Sequence, residues 1–134
     1  MKLIFSVLLL LASCLCSFAQ HPALMYNRQH PVTEDSVGVI KRIAAPPLSK
    51  KLKVVYENGR KRKVLKDDVW GFQDRRGRLF RVYEGAVYRT IIKDDIVKYQ
   101  RQKPGTNEYQ WRYSTDLDSP LYWTKRKARR NAGL

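Results

Sequence analysis

Between residues 52 and 123 the chain carries a turn signal roughly every ten residues, the rhythm of short antiparallel strands rather than of helices. Asn58-Gly59 is the sharpest of these signals. Both residues tolerate positive φ, so the pair predicts a type I′ hairpin between a strand near 51–54 and a return strand at 60–66. Asp74-Arg75-Arg76-Gly77 is a turn with Asp first and Gly last. Glu84-Gly85 and Asp94-Asp95 follow, and Pro104-Gly105-Thr106-Asn107 marks a longer loop. The intervening segments 69–73, 78–83, 86–92, 96–101 and 109–113 read as strands. In the last of them Tyr109, Trp111 and Tyr113 alternate with Gln110 and Arg112. The expected fold is mainly β: a single small antiparallel meander, strongly curved or closed as a small barrel. The basic segment 122–132 is expected either as a short helix capped by Gly133 or as a frayed end.

The two ends differ from this middle. Residues 1–19 read as a secretory signal, with Lys2 as the positive region and an apolar run over 3–12 that is too short to span a bilayer. Ser17-Phe18-Ala19 places small residues for cleavage after Ala19. Leu11-Ala12-Ser13-Cys14 offers a competing reading, a lipobox in which Cys14 is lipidated and the protein becomes an outer-membrane lipoprotein. Otherwise the expected location is periplasmic or secreted, with no transmembrane helix left after the signal. Residues 20–51 hold Pro22, Pro31, Pro46 and Pro47. They are expected as an extended arm, with Val37-Gly38-Val39-Ile40 as one short strand. The β domain then covers 52–123 and a basic tail 124–134.

The 134 residues are 43% apolar and 11% aromatic, enough for a packed core, and carry a net charge of +15. Cys14 and Cys16 are the only cysteines, and both lie in the leader. Cleavage after Ala19 therefore removes disulfides, thiol catalysis and Cys-based metal sites together. His21 and His30, nine residues apart, fit no tight metal site, and neither a metal nor a cofactor is expected. Asp67-Asp68 and Asp94-Asp95 could serve a hydrolase only by converging across a cleft, because neighbours on a strand point to opposite faces. No phosphate loop or nucleophile elbow is present.

The cations cluster. Arg60, Lys61, Arg62 and Lys63 form one group, and Arg75, Arg76, Arg78 and Arg81 a second. Lys125, Arg126, Lys127, Arg129 and Arg130 form a third. The first two are the candidate anion-binding residues, since such patches attract polyanions through counterion release. For an exported chain the available anions are lipopolysaccharide, phospholipid and polysaccharide. Nucleic acid would be held nonspecifically, and an envelope protein is the alternative partner. The reading favoured by these features is a non-enzymatic binding module. A structural or assembly protein held by an envelope partner is the alternative, and a hydrolase using the paired Asp residues is a further one. The aromatics could stack sugars or bases, but in a β domain core packing is the expected role. With Trp111 in the core, Trp111→Ala costs about 3–5 kcal/mol. An unchanged thermal midpoint points instead to an exposed binding aromatic.

Trp70-Gly71-Phe72, then Gly77, then Phe80-Arg81, preceded by Asp67-Asp68, resembles a pattern in small exported bacterial proteins of unknown function. Tyr113-Ser114 and Leu117-Asp118-Ser119-Pro120 are similar to a later stretch in the same proteins. The resemblance covers 54–122 and implies an envelope or secreted location, with no activity to carry over. The basic tail lies outside it. Gly71 between two aromatics suggests a bulge or a close backbone approach. Phe80 is expected to pack near Trp70 or Phe72. Arg81 is expected either to contact a ligand or to pair with Asp67 or Asp68, the ion pair being favoured.

Overall fold

The computed structural model describes residues 21–134, so the signal segment, its cleavage point and Cys14 lie outside the described residues. Among the described residues ten strands, a 3-10 turn over Lys66–Asp68 and one short α-helix form: β1 (Ala23–Met25), β2 (Pro31–Val32), β3 (Ile40–Ala44), β4 (Lys51–Tyr56), β5 (Lys61–Leu65), β6 (Gly71–Gln73), β7 (Leu79–Tyr83), β8 (Ala86–Lys93), β9 (Ile96–Gln102), β10 (Tyr109–Ser114) and α1 (Lys125–Asn131). The fold is mainly β and antiparallel. The five strands β6 to β10 run as a meander, and β1 then β2 extend that sheet beyond β6. β3, β4 and β5 form a second, three-stranded sheet. Both sheets stay open rather than closing into a barrel.

The first difference from expectation is the 20–51 segment. Instead of an arm it supplies β1, which is buried along its whole length and pairs Leu24 with Phe72 of β6. The prolines sit where a missing donor is tolerated: Pro22 precedes β1, and Pro31 lies in the edge strand β2. The strand expected at 37–40 begins later, at Ile40.

Turn chemistry departs in a second, instructive way. Gly59 has φ +83 but Asn58 does not reach positive φ. The Gly59 N–H donates to the Tyr56 carbonyl and the Tyr56 N–H to the Arg60 carbonyl. That is a three-residue loop with glycine at the left-handed position rather than a type I′ turn. The Asp74 turn repeats it, with Gly77 at φ +74 and the Gly77 N–H donating to the Asp74 carbonyl. The tight I′-like geometry falls to Glu84 and Gly85, at φ +50 and +76.

The three-stranded sheet packs its inner face on one face of β1, β6 and β7. Leu24, Ile40, Leu52, Val54, Tyr56, Val64, Val69, Phe72 and Val82 make one buried cluster across both sheets. Phe72 and Phe80, opposite each other in the register, stack with ring centroids 5.0 Å apart. Gly71 is the close approach expected from its neighbours: a Cβ there would sit 2.0 Å from the Phe80 carbonyl oxygen. On the other face of the large sheet, Tyr88, Val97, Tyr99 and Leu121 form a second cluster with Leu117. The segment 115–123 thus straps that face, joined to β10 by paired Tyr113 and Tyr122 backbone hydrogen bonds. It leads into α1, whose Thr124 hydroxyl caps the Lys127 N–H and whose Ala128 is buried. No helix among the described residues is long and apolar enough to cross a membrane.

Candidate functional site: a basic outer sheet face and a buried arginine

β4 alternates cleanly. Leu52, Val54 and Tyr56 turn inward and Lys51, Lys53 and Val55 outward. Antiparallel pairing carries that outward face to both neighbours. Arg42, Val55 and Lys61 form one cross-strand row, and Ala44, Lys53 and Lys63 the next, with Lys51 opposite Leu65. The face is therefore a chequer of cations around small and branched apolar side chains. The three strands contribute no Asp or Glu. Lys53 and Lys63 are direct cross-strand neighbours, an arrangement that costs stability when like charges face one another. Arg42, Ala44, Lys53, Val55, Lys61, Arg62 and Lys63 line a groove of about 550 Å³ on this side.

The first expected cluster is thus partly regrouped. Lys61 and Lys63 lie on the outer face. Arg62 stands opposite Val54, and its guanidinium reaches Asp35 at 3.2 Å. Arg60 is exposed at the hairpin end. Asp35 also accepts from the Tyr56 hydroxyl at 2.6 Å and from the Val37 N–H. Burial raises its carboxyl, but these hydrogen bonds and Arg62 outweigh burial and leave it below the ordinary value. Arg42, Lys51 and Lys53 join the face only through strand pairing.

The second cluster separates into three environments. Arg75 and Arg76 are exposed on their turn. Arg78 is bound to Asp74, with Nε 2.7 Å from the carboxylate, which also accepts from the backbone N–H of Arg76 and Arg78. Arg81 is only 5% exposed, so it is no surface anion binder. Its guanidinium lies 5.3–5.8 Å from the ring centres of Trp70, Tyr83 and Tyr99. One Nη donates to the Ser119 carbonyl at 2.8 Å and to the Tyr99 hydroxyl at 3.2 Å. Among the described residues no Asp or Glu comes within ion-pair distance of it, so the expected pairing with Asp67 or Asp68 does not form.

Arg81 gathers both stretches of the short motif. Trp70 donates its indole N–H to the Leu117 carbonyl at 3.0 Å, and Tyr99 bonds the Ser114 hydroxyl at 2.8 Å. Asp116 folds the strap by accepting from the N–H of Asp118 and Ser119 and from the Ser119 hydroxyl. That hydroxyl, then the two N–H groups, and more weakly the Arg81 charge hold the Asp116 carboxyl below its ordinary value. The arrangement closes a sheet face over a cation and leaves no exposed reactive group at Arg81.

The paired acids occupy two separate turns. Asp67 and Asp68 follow β5, while Asp94 and Asp95 join β8 to β9, where Asp95 pairs with Arg129 at 3.2 Å. Lys66, beside the first pair, is 2% exposed and donates to the Pro46 carbonyl at 3.0 Å. Burial lowers its amine below the ordinary lysine range, with repulsion from Arg101 adding to it. Among the described residues no cluster of three or more His, Cys, Asp or Glu could hold a metal. The aromatics divide: Tyr88 and Tyr99 are buried, but Tyr109, Trp111 and Trp123 are exposed. Comparison with family models, curated proteins and solved structures finds no match to this chain.

Proposed function

We propose that this is an exported, non-enzymatic envelope protein whose three-stranded sheet docks on an anionic lipid surface, with phospholipid or lipopolysaccharide phosphates as the contacted groups. The observation that carries this reading is the outer face of β3, β4 and β5, where Arg42, Lys51, Lys53, Lys61 and Lys63 surround Ala44, Val55 and Leu65 without a carboxylate. Long cationic side chains over an apolar patch suit a headgroup boundary, where the stems cover apolar surface and the charges meet phosphate. Each such cation contributes about 1 kcal/mol near an anionic membrane, and the attraction fades beyond a Debye length. The opposed Lys53 and Lys63 are relieved when phosphate lies between them. The leader, as read from the sequence, delivers the chain to a compartment bounded by such surfaces.

The test is co-sedimentation of the purified protein with vesicles of phosphatidylcholine alone or mixed with phosphatidylglycerol, at rising salt. Binding only to the mixed vesicles, weakened by salt and by Lys53→Gln/Lys63→Gln, is expected. Equal sedimentation with both vesicle types would refute the reading.

A further inference from the structure

The three-stranded sheet covers only the β1–β7 side of the large sheet. The same face continues over β8, β9 and β10; beyond Val87, which still packs against the small sheet's cluster, and short of Tyr113, whose ring lies 5.8 Å from Lys125 Nζ, it is open around Arg89, Trp111 and Tyr109. The register aligns Arg89, Gln100 and Trp111 side by side across three adjacent strands. Gln102 stands opposite Tyr109 in the neighbouring row, and Lys98 opposite Tyr113. Trp111 is 38% and Tyr109 54% exposed. Arg89, Gln100, Gln102 and Tyr109 also line a groove of about 530 Å³ where the covered half ends. Its one carboxylate, Asp74, is occupied by Arg78. Neither Arg89 nor Lys98 has an ion-pair partner among the described residues.

We propose that this open half-sheet is a second binding site, separate from the basic outer face, and that it takes a strand of acidic polysaccharide. Charge and chemistry select the occupant. A row of guanidinium, amide and indole spans two strand spacings, about 10 Å. Trp111 offers a flat ring to the C–H face of a sugar. Gln100, between the other two, can both donate to and accept from sugar hydroxyls. Arg89 presents a planar fork that fits a carboxylate in bidentate fashion. On one side of this row Lys98 stands opposite Tyr113, and on the other Tyr109 stands opposite Gln102. A single-stranded nucleic acid would also stack on the rings. It lacks the hydroxyl-rich edge that Gln100 matches, so the sugar polymer is the occupant favoured here.

The experiment is a calorimetric titration of the purified protein with a defined galacturonic acid oligomer, its methyl ester and an oligothymidylate. Wild type, Trp111→Ala, Arg89→Gln and Lys53→Gln/Lys63→Gln are compared, with thermal unfolding to confirm that each is folded. Saturable binding of the acid oligomer is expected, weakened at least tenfold by Trp111→Ala and by Arg89→Gln. The ester should bind weakly, and the outer-face double variant should bind like wild type. The proposal is overturned by no binding of the acid oligomer, by equal binding of the ester or by tighter binding of the oligothymidylate. Loss confined to the outer-face variant would also overturn it. Because that variant also reads out vesicle binding, failure of the lipid reading and failure of this one are distinguishable.

Discussion

Two groups of cations in this protein occupy opposite environments. Arg81 is enclosed by Trp70, Tyr83 and Tyr99 and held by a backbone carbonyl, with no ion-pair partner among the described residues. Lys53 and Lys63 stand in solvent, face each other, and contribute no packing to the core. The first arrangement spends one Nη on closing the fold and leaves Nε buried without a hydrogen-bond partner, a desolvation cost borne inside the structure. The second tolerates repulsion in the fold and leaves its donors free for something outside. Clustering of basic residues along the chain does not separate the two roles; burial and hydrogen bonding do.

Variants of the enclosed arginine should break this contrast hardest. Arg81→Met is expected to lower stability by about 3–5 kcal/mol in urea unfolding, because it unseats the Ser119 and Tyr99 contacts and the strap over them. Gly71→Ala comes next, at about 1–3 kcal/mol, since the new Cβ meets the Phe80 carbonyl backbone and β6 or β7 must shift. Asp116→Ala removes the acceptor that organises the strap and should cost about 1 kcal/mol. Its pH signature is directional. The carboxyl is held below its ordinary value of 3.8, so its contribution is complete above that pH and is lost as pH falls through the lowered value. An acid-unfolding series should therefore be shallower for Asp116→Asn than for wild type below about pH 4. At the small end, Lys63→Gln should leave stability unchanged or raise it by about 0.2–1 kcal/mol by removing the opposed charge. Trp111→Ala should cost under about 1 kcal/mol, well short of a core tryptophan.

Much of the hairpin order was legible because turn residues act locally. Asp74 to Gly77, Glu84-Gly85 and Asp94-Asp95 all lie at strand connections, and Gly71 does meet a neighbouring backbone. What escaped depends on pairing between distant segments. β1 has too few residues to display alternation, and only its fit beside β6 reveals it. Arg42 and Lys53 join Lys61 and Lys63 through β3–β4–β5 register, which no linear cluster contains. Arg81 misleads because alternation presumes one wet face, whereas β7 is covered by the small sheet on one side and the strap on the other. On β10 the small sheet does not reach far enough to cover Tyr109 and Trp111. The strap instead buries Ser114 on the opposite face, so the aromatic stripe that resembles a core surface lies open. The basic α1 was visible from its composition and from Gly133, whose φ of +76 ends it.

The most direct test of the account is a charge-matched one. Affinity for phosphatidylglycerol-containing vesicles is measured for Lys53→Gln/Lys63→Gln and for Arg126→Gln/Arg130→Gln, which remove equal charge from the outer sheet face and from α1. A clear loss is expected for the sheet pair and near wild-type affinity for the helix pair. Equal losses would contradict this, because the protein would then respond to its net charge and not to the face that the strands assemble.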